Sequence, residues 1–264
     1  MKIATFNINS IRSRLRNLLQ WLEEEQPDAV CLQELRIYPG EFPLREIEAA
    51  GYGALWQGQK PRFNGVAILS RGSTPVEVRR GLPGDEDDEQ ARYLEAAVNG
   101  ILIACLYAPN GNPQPGPKFD YKLKWLERLN THAASLLASP APIVLAGDYN
   151  VVPTPEDIYP TTSYDRDALV QPEARAAFRR LLEQGWTDAI RARHPRERIY
   201  TFWDYMRQRW ERNAGLRIDH LLLNREAAKG LVDAGVDKEL RGRAGASDHA
   251  PAWVALRSRS KRHG

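Results

Sequence analysis

The sequence has very little cysteine and no long hydrophobic run. Its 264 residues include two cysteines, Cys31 and Cys105, each inside a short apolar stretch. We interpret both as small buried core residues, because no second Cys or His stands at a spacing that indicates a metal site. A membrane-spanning helix needs about 18 or more apolar residues in a row, and neither such a run nor a signal peptide is visible. We therefore expect a protein of the reducing cytoplasm, with no disulfide and no membrane partner.

The chain also has little excess charge of either sign. Its 37 Lys and Arg residues nearly balance its 34 Asp and Glu residues, for a net charge of +3. A mildly basic balance is weak evidence for a nucleic-acid partner, because the distribution of charge matters more than the sum. Hydrophobic residues make up 42% and charged residues 27%, which is typical of a folded protein. The exception is the basic stretch 257–264, which we predict to be a disordered tail.

Short apolar strands recur along the whole chain, with helices between groups of strands and no repeat or linker. We therefore predict a single domain over residues 1–256, of the α/β class, in which two sheets pack face to face with helices outside. Ser10 is expected to cap a helix whose apolar positions run from Ile11 to Leu22. The glycines in residues 51–53 are interpreted as a break after a short helix.

Residues 143–150 are the most informative stretch. Residues 143–146 are apolar without alternation, which is typical of a strand buried on both faces. Gly147 permits a turn or a close approach to a ligand. Asp148 and Asn150 point the same way if the chain is extended, and together have the groups to hold a water and a phosphate oxygen. An ordinary strand-end turn, in which Asp and Asn bond their own backbone, explains the stretch equally well.

Polar side chains stand at the ends of several other strands. They are Asn7, Glu34, Tyr107, Asp148 with Asn150, Asp219, and Asp248 with His249. One such ending means little, but one on nearly every strand is hard to explain by turn chemistry alone. Oxygen ligands without cysteine are what Mg²⁺ prefers, and Glu34 is the best single candidate for a ligand. A histidine beside a carboxylate has its orientation and tautomer fixed, although a Ser-Asp-His turn is the plainer interpretation of residues 247–249.

Six motifs together resemble the exonuclease III family of apurinic/apyrimidinic endonucleases. They lie at residues 6–9, 32–34, 107–111, 147–150, 217–219 and 247–251 and match in order and spacing. Residues 200–205 and 212–219 resemble the DNA-repair branch in particular. The resemblance implies a four-layer α/β sandwich of two packed mixed β-sheets flanked by helices. It also implies Mg²⁺-dependent cleavage 5′ to abasic sites in duplex DNA, with Mn²⁺ able to substitute. Further 3′-to-5′ exonuclease and 3′-phosphatase activities, on 3′-blocked ends, would accompany it.

The resemblance also implies roles for individual residues. Asp148 would align or deprotonate the attacking water, and His249, oriented by Asp219, would contact the phosphate. The full catalytic set would be Tyr107, Asp148, Asn150, Asp219 and His249. The metal-binding set would be Asn7, Glu34, Asp148, Asn150, Asp248 and His249, with Asp248 at a second metal position.

DNA contacts are expected on both sides of these residues. Lys60 and Arg62 in a basic loop would contact phosphates, together with Asn110 and Asn213. Phe202, Leu216 and Ile218 would form a small apolar pocket for a flipped abasic sugar. Leu216 stands where the family often has Trp, which bears on how well that pocket excludes normal nucleotides. We expect Trp203 to be a packing residue, and the protein to be a monomer.

Two alternatives differ in function class. One is a phosphoinositide or sphingomyelin phosphodiesterase of the same superfamily, which would share Glu34, Asp148 and His249 but lack the abasic pocket. The other is a non-catalytic DNA-binding protein on the same fold, which loss of any of those three residues would favour. All three are present.

Overall fold

The computed structural model describes residues 1–257. In chain order its strands are β1 (Lys2–Asn7), β2 (Ala29–Gln33), β3 (Tyr52–Gln57), β4 (Val66–Arg71), β5 (Val76–Arg80), β6 (Tyr93–Val98), β7 (Ile101–Tyr107), β8 (Ile143–Asp148), β9 (Thr187–Asp188), β10 (Asp219–Leu223), β11 (Leu231–Val236) and β12 (Ala252–Leu256). Its α-helices are α1 (Ile11–Glu25), α2 (Leu44–Ala49), α3 (Pro117–Leu136), α4 (Pro172–Gln184), α5 (Ala189–Arg193) and α6 (Arg225–Ala228). Short 3₁₀ turns lie at Pro39–Glu41, Pro155–Asp157 and Lys238–Gly242.

The strands form two mixed sheets of six strands each. The first sheet has the order β11-β12-β1-β2-β4-β3, and the second has the order β5-β6-β7-β8-β10-β9. Each contains one parallel pair, β1 with β2 and β7 with β8, among antiparallel neighbours. The parallel pairs lie at the centre of each sheet, so their ends meet at one edge of the sandwich.

Three apolar clusters separate four layers. One cluster lies between the sheets and includes Cys31 of β2 and Cys105 of β7. A second packs α1 against the outer face of the first sheet through residues such as Trp21. A third packs α3 and α4 against the second sheet through residues such as Trp125 and Phe178. The four-layer sandwich predicted from the sequence is therefore confirmed, and so is the burial of both cysteines, which are unpaired.

β8 is buried on both faces, as predicted, because the sheet lies between the other sheet and the helices. Gly147 belongs to this strand and does not turn the chain. A Cβ at this position would stand 1.9 Å from the carbonyl oxygen of Leu106, so glycine is required by the closeness of β7. Among residues 1–257 no helix is both long and apolar enough to cross a membrane.

One expectation about local structure is wrong, one is confirmed, and two strands were missed. Ser10 precedes α1, but its side chain makes no capping hydrogen bond and instead contacts Ser13. Helix α2 ends at Ala49 and Gly51 follows it with φ 86°, so the predicted break after a short helix is present, and β3 begins at the next residue, Tyr52. β5 and β11 were not expected, because β5 mixes two valines with three charged residues and the apolar residues of β11 are interrupted by Asp233 and Gly235. The predicted tail, apart from Arg257, lies outside the described residues, and the single domain over 1–256 stays a prediction.

A buried charge network joins the long loop 152–170 to the start of β10. Arg217 is 1% exposed and bonds Asp157 at 2.7 Å and Asp188 at 2.8 Å. Burial favours the neutral acid, but the Arg217 guanidinium lowers the pKa of Asp157 to about 2. His220 faces the same guanidinium through Nδ1 at 3.1 Å and bonds the Val151 carbonyl through Nε2 at 3.0 Å. Its Nδ1 therefore accepts and its Nε2 donates.

This network predicts a loss of stability in mild acid. Burial and the Arg217 charge lower the pKa of His220 from 6.5 to about 4, so only the unfolded chain binds a proton between those values. We expect this residue alone to lower the free energy of unfolding by about 3 kcal/mol as the pH falls through that window. Asp157 adds a further loss below pH 3.8, as its own carboxylate becomes protonated.

Urea unfolding of the wild type and of His220→Gln between pH 7 and 4.5 measures the effect. The variant lacks the titrating ring, so its stability is expected to change less over this range. Equal pH dependence in the two proteins would contradict the assignment.

Candidate active site

The strand registers bring the predicted catalytic residues to one edge of the sandwich. Parallel pairing sets Tyr107 of β7 beside Asp148 of β8, and antiparallel pairing sets Asp219 of β10 on the other side of Asp148. In the facing sheet, Asn7 ends β1 next to the end of β2, after which Glu34 follows. His249 lies just before β12, which pairs with β1. The residues are far apart in sequence but share one edge because their strands do.

Asn7 joins the two sheets at this edge. It is fully buried, and its amide donates to Glu34 Oε1 at 3.3 Å and to Asp148 Oδ2 at 3.0 Å. Its amide oxygen accepts from the Asn9 backbone at 3.0 Å. One amide therefore fixes the separation of two carboxylates that belong to different sheets.

Asp148 is 1% exposed and uses its two oxygens differently. Oδ1 accepts from the Asn150 backbone N–H at 2.8 Å, and Oδ2 accepts from the amides of Asn7 and Asn150 at 3.0 and 3.3 Å. Asp148 thus bonds the nearby backbone, as in an ordinary strand-end turn, and its side chain also lies beside that of Asn150, as the functional interpretation requires. Asn150 is in the left-handed region with φ 50°, so the extended chain assumed for this pair is wrong. The side chains meet because the backbone turns back.

The Asp219–His249 pair lies on the other side of Asp148. His249 Nδ1 is 2.8 Å from Asp219 Oδ2, and its Nε2 is 4.0 Å from Asp148 Oδ2. Burial opposes a charge on the ring, but the Asp219 and Asp148 carboxylates together raise the pKa of His249. Burial and the neighbouring Asp219 raise the pKa of Asp148. The result is a cationic donor facing an unusually basic carboxylate.

Glu34 carries the other half of the site. It follows β2 with φ 53°, a conformation that costs on the order of 1 kcal/mol and is common at functional positions. Tyr107 donates its hydroxyl proton to Glu34 Oε1 at 2.5 Å, while Arg36 bonds Oε2 at 2.6 Å. Burial and the Glu34 carboxylate raise the pKa of Tyr107 well above its ordinary value, so the phenol remains a donor.

The residues present fit a divalent cation. Asp148, Asp219 and His249 each offer an atom within 4.8 Å of the others, and Glu34 lies within reach of Asn7, which contacts Asp148. Asp219 is fully buried, yet its Oδ1 has no hydrogen-bond partner in the described part of the chain. Carboxylate oxygens that converge in this way suit a hard cation. Asp248 stands at the rim, half-buried, where Asn9 donates to it at 2.9 Å.

A groove of about 830 Å³ opens beside Glu34 and Tyr107. Its cations are Arg36, Arg62, Arg92 and Lys118, and its aromatic residues include the exposed Phe63. Asn110 lies in it and bonds Asn150 at 3.2 Å. Lys60 and Arg62 are exposed beside it, but Arg62 is paired with Glu41 and stacks on Tyr38, with its carbon Cζ 4.4 Å from the ring centroid.

The predicted apolar pocket residues lie together on the opposite side of His249. Phe202 packs with its ring centroid 4.9 Å from that of His249 and joins a cluster with Leu216 and Ile218. Leu216 and Ile218 are 1% and 2% exposed, so Phe202 presents most of the surface here. Asn213 accepts a hydrogen bond from the Trp203 indole at 3.2 Å. Trp203 itself is buried, as predicted.

Sequence reasoning missed three polar residues at this site. Arg36 pairs with Glu34, Asn9 holds Asp248, and Lys122 of α3 bonds the backbone of Asn150 at 2.5 Å. Arg36, two residues after Glu34, had a local signal. The contacts of Asn9 and Lys122 are made across the fold. Asn9 lies in the motif at residues 6–9 but was given no role, and Lys122 had no signal.

Comparison with known proteins decides the family. Residues 4–249 match the Endonuclease/Exonuclease/phosphatase family. The chain belongs to this family. An Exodeoxyribonuclease III from Haemophilus influenzae is 33% identical over 97% of this chain and 100% of its own length. An AP endonuclease structure from Archaeoglobus fulgidus has a TM-score of 0.90, 38% identity and coverage of 97% and 99%. The 3′ phosphatase NExo from Neisseria, bound to a product DNA hairpin, has a TM-score of 0.93, 36% identity and the same coverage.

These similarities confirm two predictions made from the sequence. Within the endonuclease/exonuclease/phosphatase family, the chain groups with exonuclease III and the AP endonucleases, and the shared fold extends over nearly all of it. It is a hydrolase of the nuclease type. The lipid phosphodiesterase alternative is thereby disfavoured, and the presence of Glu34, Asp148 and His249 together disfavours a non-catalytic protein.

Proposed function

We propose that the protein is a metal-dependent DNA repair nuclease that cleaves the phosphodiester bond 5′ to an abasic site in duplex DNA. Trimming of 3′ ends and removal of 3′-phosphates would use the same site. The observation that carries this proposal is the position of Asp148. It is a buried carboxylate of raised pKa, held by two amides, 4.0 Å from a histidine that a second carboxylate orients. Such a carboxylate can accept a proton from water while the histidine donates to a phosphate.

The metal is proposed to be Mg²⁺, with Mn²⁺ able to substitute. Glu34 and Asn7 would hold it, and Asp148, Asn150, Asp248 and His249 lie close enough to contribute. When bound, the ion neutralises negative charge that builds on the phosphate oxygens during attack. Glu34 offers a more accessible carboxylate than Asp148, since its side chain is 16% exposed against 2% for Asp148.

The chain's own residues divide the remaining work. Asp148 accepts a proton as the water oxygen attacks phosphorus, and Asn150 keeps the accepting oxygen in place. The P–O3′ bond then breaks with its electron pair on O3′, which takes up a proton from solvent, so that one strand end carries a 3′-hydroxyl and the abasic residue carries a 5′-phosphate. His249, kept cationic by Asp219, donates to a phosphate oxygen, and the protonated Tyr107 phenol donates from the other side.

Selection of abasic sites is proposed to depend on Phe202, Leu216 and Ile218. An abasic sugar flipped out of the duplex needs only a small apolar surface, which this cluster supplies next to His249. Leu216 is smaller than the Trp that the family often has at this position. Because Leu216 is nearly fully buried, it acts by setting the position of Phe202. Asn213 fixes the adjoining loop through its bond to Trp203.

The test is a labelled duplex with one central tetrahydrofuran abasic analogue, incubated beside an intact duplex in Mg²⁺ and in EDTA. We expect Mg²⁺-dependent incision at the analogue and none at the same position of the intact duplex. Degradation of both duplexes from their 3′ ends would show an exonuclease without abasic selectivity. Absence of cleavage in either duplex would contradict the proposal.

Electrostatic contact with DNA gives a separate prediction. Lys60 is exposed beside the groove and its ammonium lies 5.9 Å from the Tyr38 ring, with no ion pair among the described residues. If it neutralises one phosphate, Lys60→Ala makes the slope of log affinity against log salt less negative by about 0.9. Fluorescence anisotropy of a labelled duplex, titrated at salt concentrations between about 50 and 200 mM, measures this slope.

Lys229→Ala is the matched control, because Lys229 is exposed at the opposite edge of the sandwich, beyond the end of β10. Its slope is expected to equal that of the wild type. An unchanged slope for Lys60→Ala would remove Lys60 from the DNA interface. Action in the cytoplasm as a monomer, and the single domain over residues 1–256, remain predictions from the sequence.

A further inference from the structure

Lys122 is a fully buried lysine behind the site. It lies on α3 with 0% exposure, and its ammonium bonds three backbone carbonyl oxygens. They belong to Asn110 at 2.9 Å, Asn150 at 2.5 Å and Ala168 at 3.4 Å. No described residue forms an ion pair with it. An ammonium has three N–H donors, so the three carbonyls match its full donor set.

Burying such a group is unfavourable unless its contacts compensate. Burial lowers the pKa of Lys122 to about 7, against the opposing influence of the Asp148 and Asp167 carboxylates. A methionine or leucine would fill the same space among the apolar residues of α3 without that cost. Packing alone therefore does not explain why a lysine occupies this position.

The three carbonyls come from three separate loops that meet at the site. Asn110 is in the loop after β7, Asn150 follows β8, and Ala168 is in the loop 152–170. The Asn110 side chain bonds Asn150 Oδ1 at 3.2 Å, and the Asn150 amide bonds Asp148 Oδ2 at 3.3 Å. One ammonium is thus connected through Asn150 to the carboxylate proposed to activate water.

Gly111 provides the space for this arrangement. Its φ of +90° is in the left-handed region, and a Cβ there would lie 2.6 Å from Lys122 Cδ and 3.1 Å from Ala168 Cβ. Any larger residue at this position would push against the lysine. The loop after β7 is therefore shaped to fit around the side chain of Lys122.

We propose that Lys122 is a positioning residue of the nuclease site, whose ammonium holds the Asn110, Asn150 and Ala168 loops in the geometry that aims Asp148. Its side chain is fully buried and does not line the groove. The inference rests on the proposed function, because the geometry it serves is that of the hydrolytic step. Its effect is expected in the rate of that step rather than in DNA binding, since the DNA-facing cations lie elsewhere.

The test compares Lys122→Met with Lys124→Met. The two lysines lie on the same helix, but Lys124 is exposed, so the control makes the same chemical change without touching the loops. We expect kcat on the abasic duplex to fall about 100-fold in Lys122→Met, as for a misplacement of about 1 Å, with KM changed less than about threefold. Lys124→Met is expected to retain wild-type kcat. Circular dichroism and thermal melting establish that both variants are folded.

Chemical rescue separates positioning from packing. In Lys122→Ala, added ethylammonium can occupy the vacated space and donate to the carbonyls, whereas ethanol fills space without charge. Recovery of kcat with ethylammonium alone supports the proposal. Equal recovery with both, or wild-type kcat in a folded Lys122→Met, overturns it.

A second variant acts on the same contacts while keeping the charge. Gly111→Ala presses on the lysine, and we expect it to lower kcat with little change in KM; an unchanged kcat would also overturn the proposal. If the wild type itself does not cleave the abasic duplex, the proposed function fails and not merely this inference. The two failures are distinguished by the wild-type assay alone.

Discussion

Asp148→Asn is expected to lower kcat on the abasic duplex by about 1,000-fold while duplex binding is retained. The change is nearly isosteric, so the hydrogen bonds from Asn7 and Asn150 lose a charged acceptor without a cavity being formed. An amide cannot accept the proton that the attacking water must lose. Removal of a negative charge from a site that faces phosphates is expected to leave DNA affinity equal or slightly higher.

Single-turnover cleavage with enzyme in excess measures the chemical step, and anisotropy in EDTA measures binding. Asp87→Asn is the matched control, since Asp87 is exposed in the loop after β5 and the chemical change is the same. It is expected to behave as the wild type. A rate for Asp148→Asn within about tenfold of the wild type would exclude Asp148 as the acceptor of the proton.

Glu34→Gln is expected to weaken metal binding and to slow cleavage by about 100-fold or more at low Mg²⁺. A neutral amide replaces the partly exposed carboxylate of Glu34, and the Coulombic attraction for the cation falls accordingly. Excess Mg²⁺ or Mn²⁺ is expected to restore part of the rate, because Asp148 and Asp219 remain. The same variant also loses the ionic bond to Arg36 and weakens the bond from Tyr107.

Titration with Mn²⁺, followed by electron paramagnetic resonance, reports metal affinity independently of activity. Glu86→Gln is the control, because Glu86 is an exposed residue of the loop before β6. We expect the Mn²⁺ dissociation constant to rise at least about tenfold in Glu34→Gln and to stay constant in Glu86→Gln. An unchanged dissociation constant in Glu34→Gln would indicate that Asp148, Asp219 and His249 bind the metal instead.

Strand ends were the part of the site that the sequence could reveal. An apolar run followed by Asp148, or by Glu34, is a local pattern, and a local pattern can be recognised in the sequence without knowledge of the fold. The pairing of Asp219 with His249 was available only through resemblance, because no spacing predicts contact between residues 30 apart. The contacts of Lys122 had no signal at all, since an isolated lysine in an amphipathic helix is most simply interpreted as exposed.

The fold shows the same division. The alternating and continuous apolar runs that became β1, β2, β7 and β8 were visible because both faces of these strands are buried. Strand β5 has every residue exposed, so burial imposed no pattern on its sequence. Edge strands are stabilised by backbone pairing with a neighbouring strand from elsewhere in the chain, and that partner cannot be identified from a single sequence.

Three hydrogen bonds at the site join one sheet to the other. Asn7 reaches Asp148, Tyr107 reaches Glu34, and His249 reaches Asp219, each pair having one member from each sheet. The geometry of the site therefore depends on the relative position of the two sheets. A small sliding or loosening of the sheets, too slight to unfold either one, would separate proton acceptor from donor. Damage to the inter-sheet core far from DNA would then abolish turnover first and the fold only later.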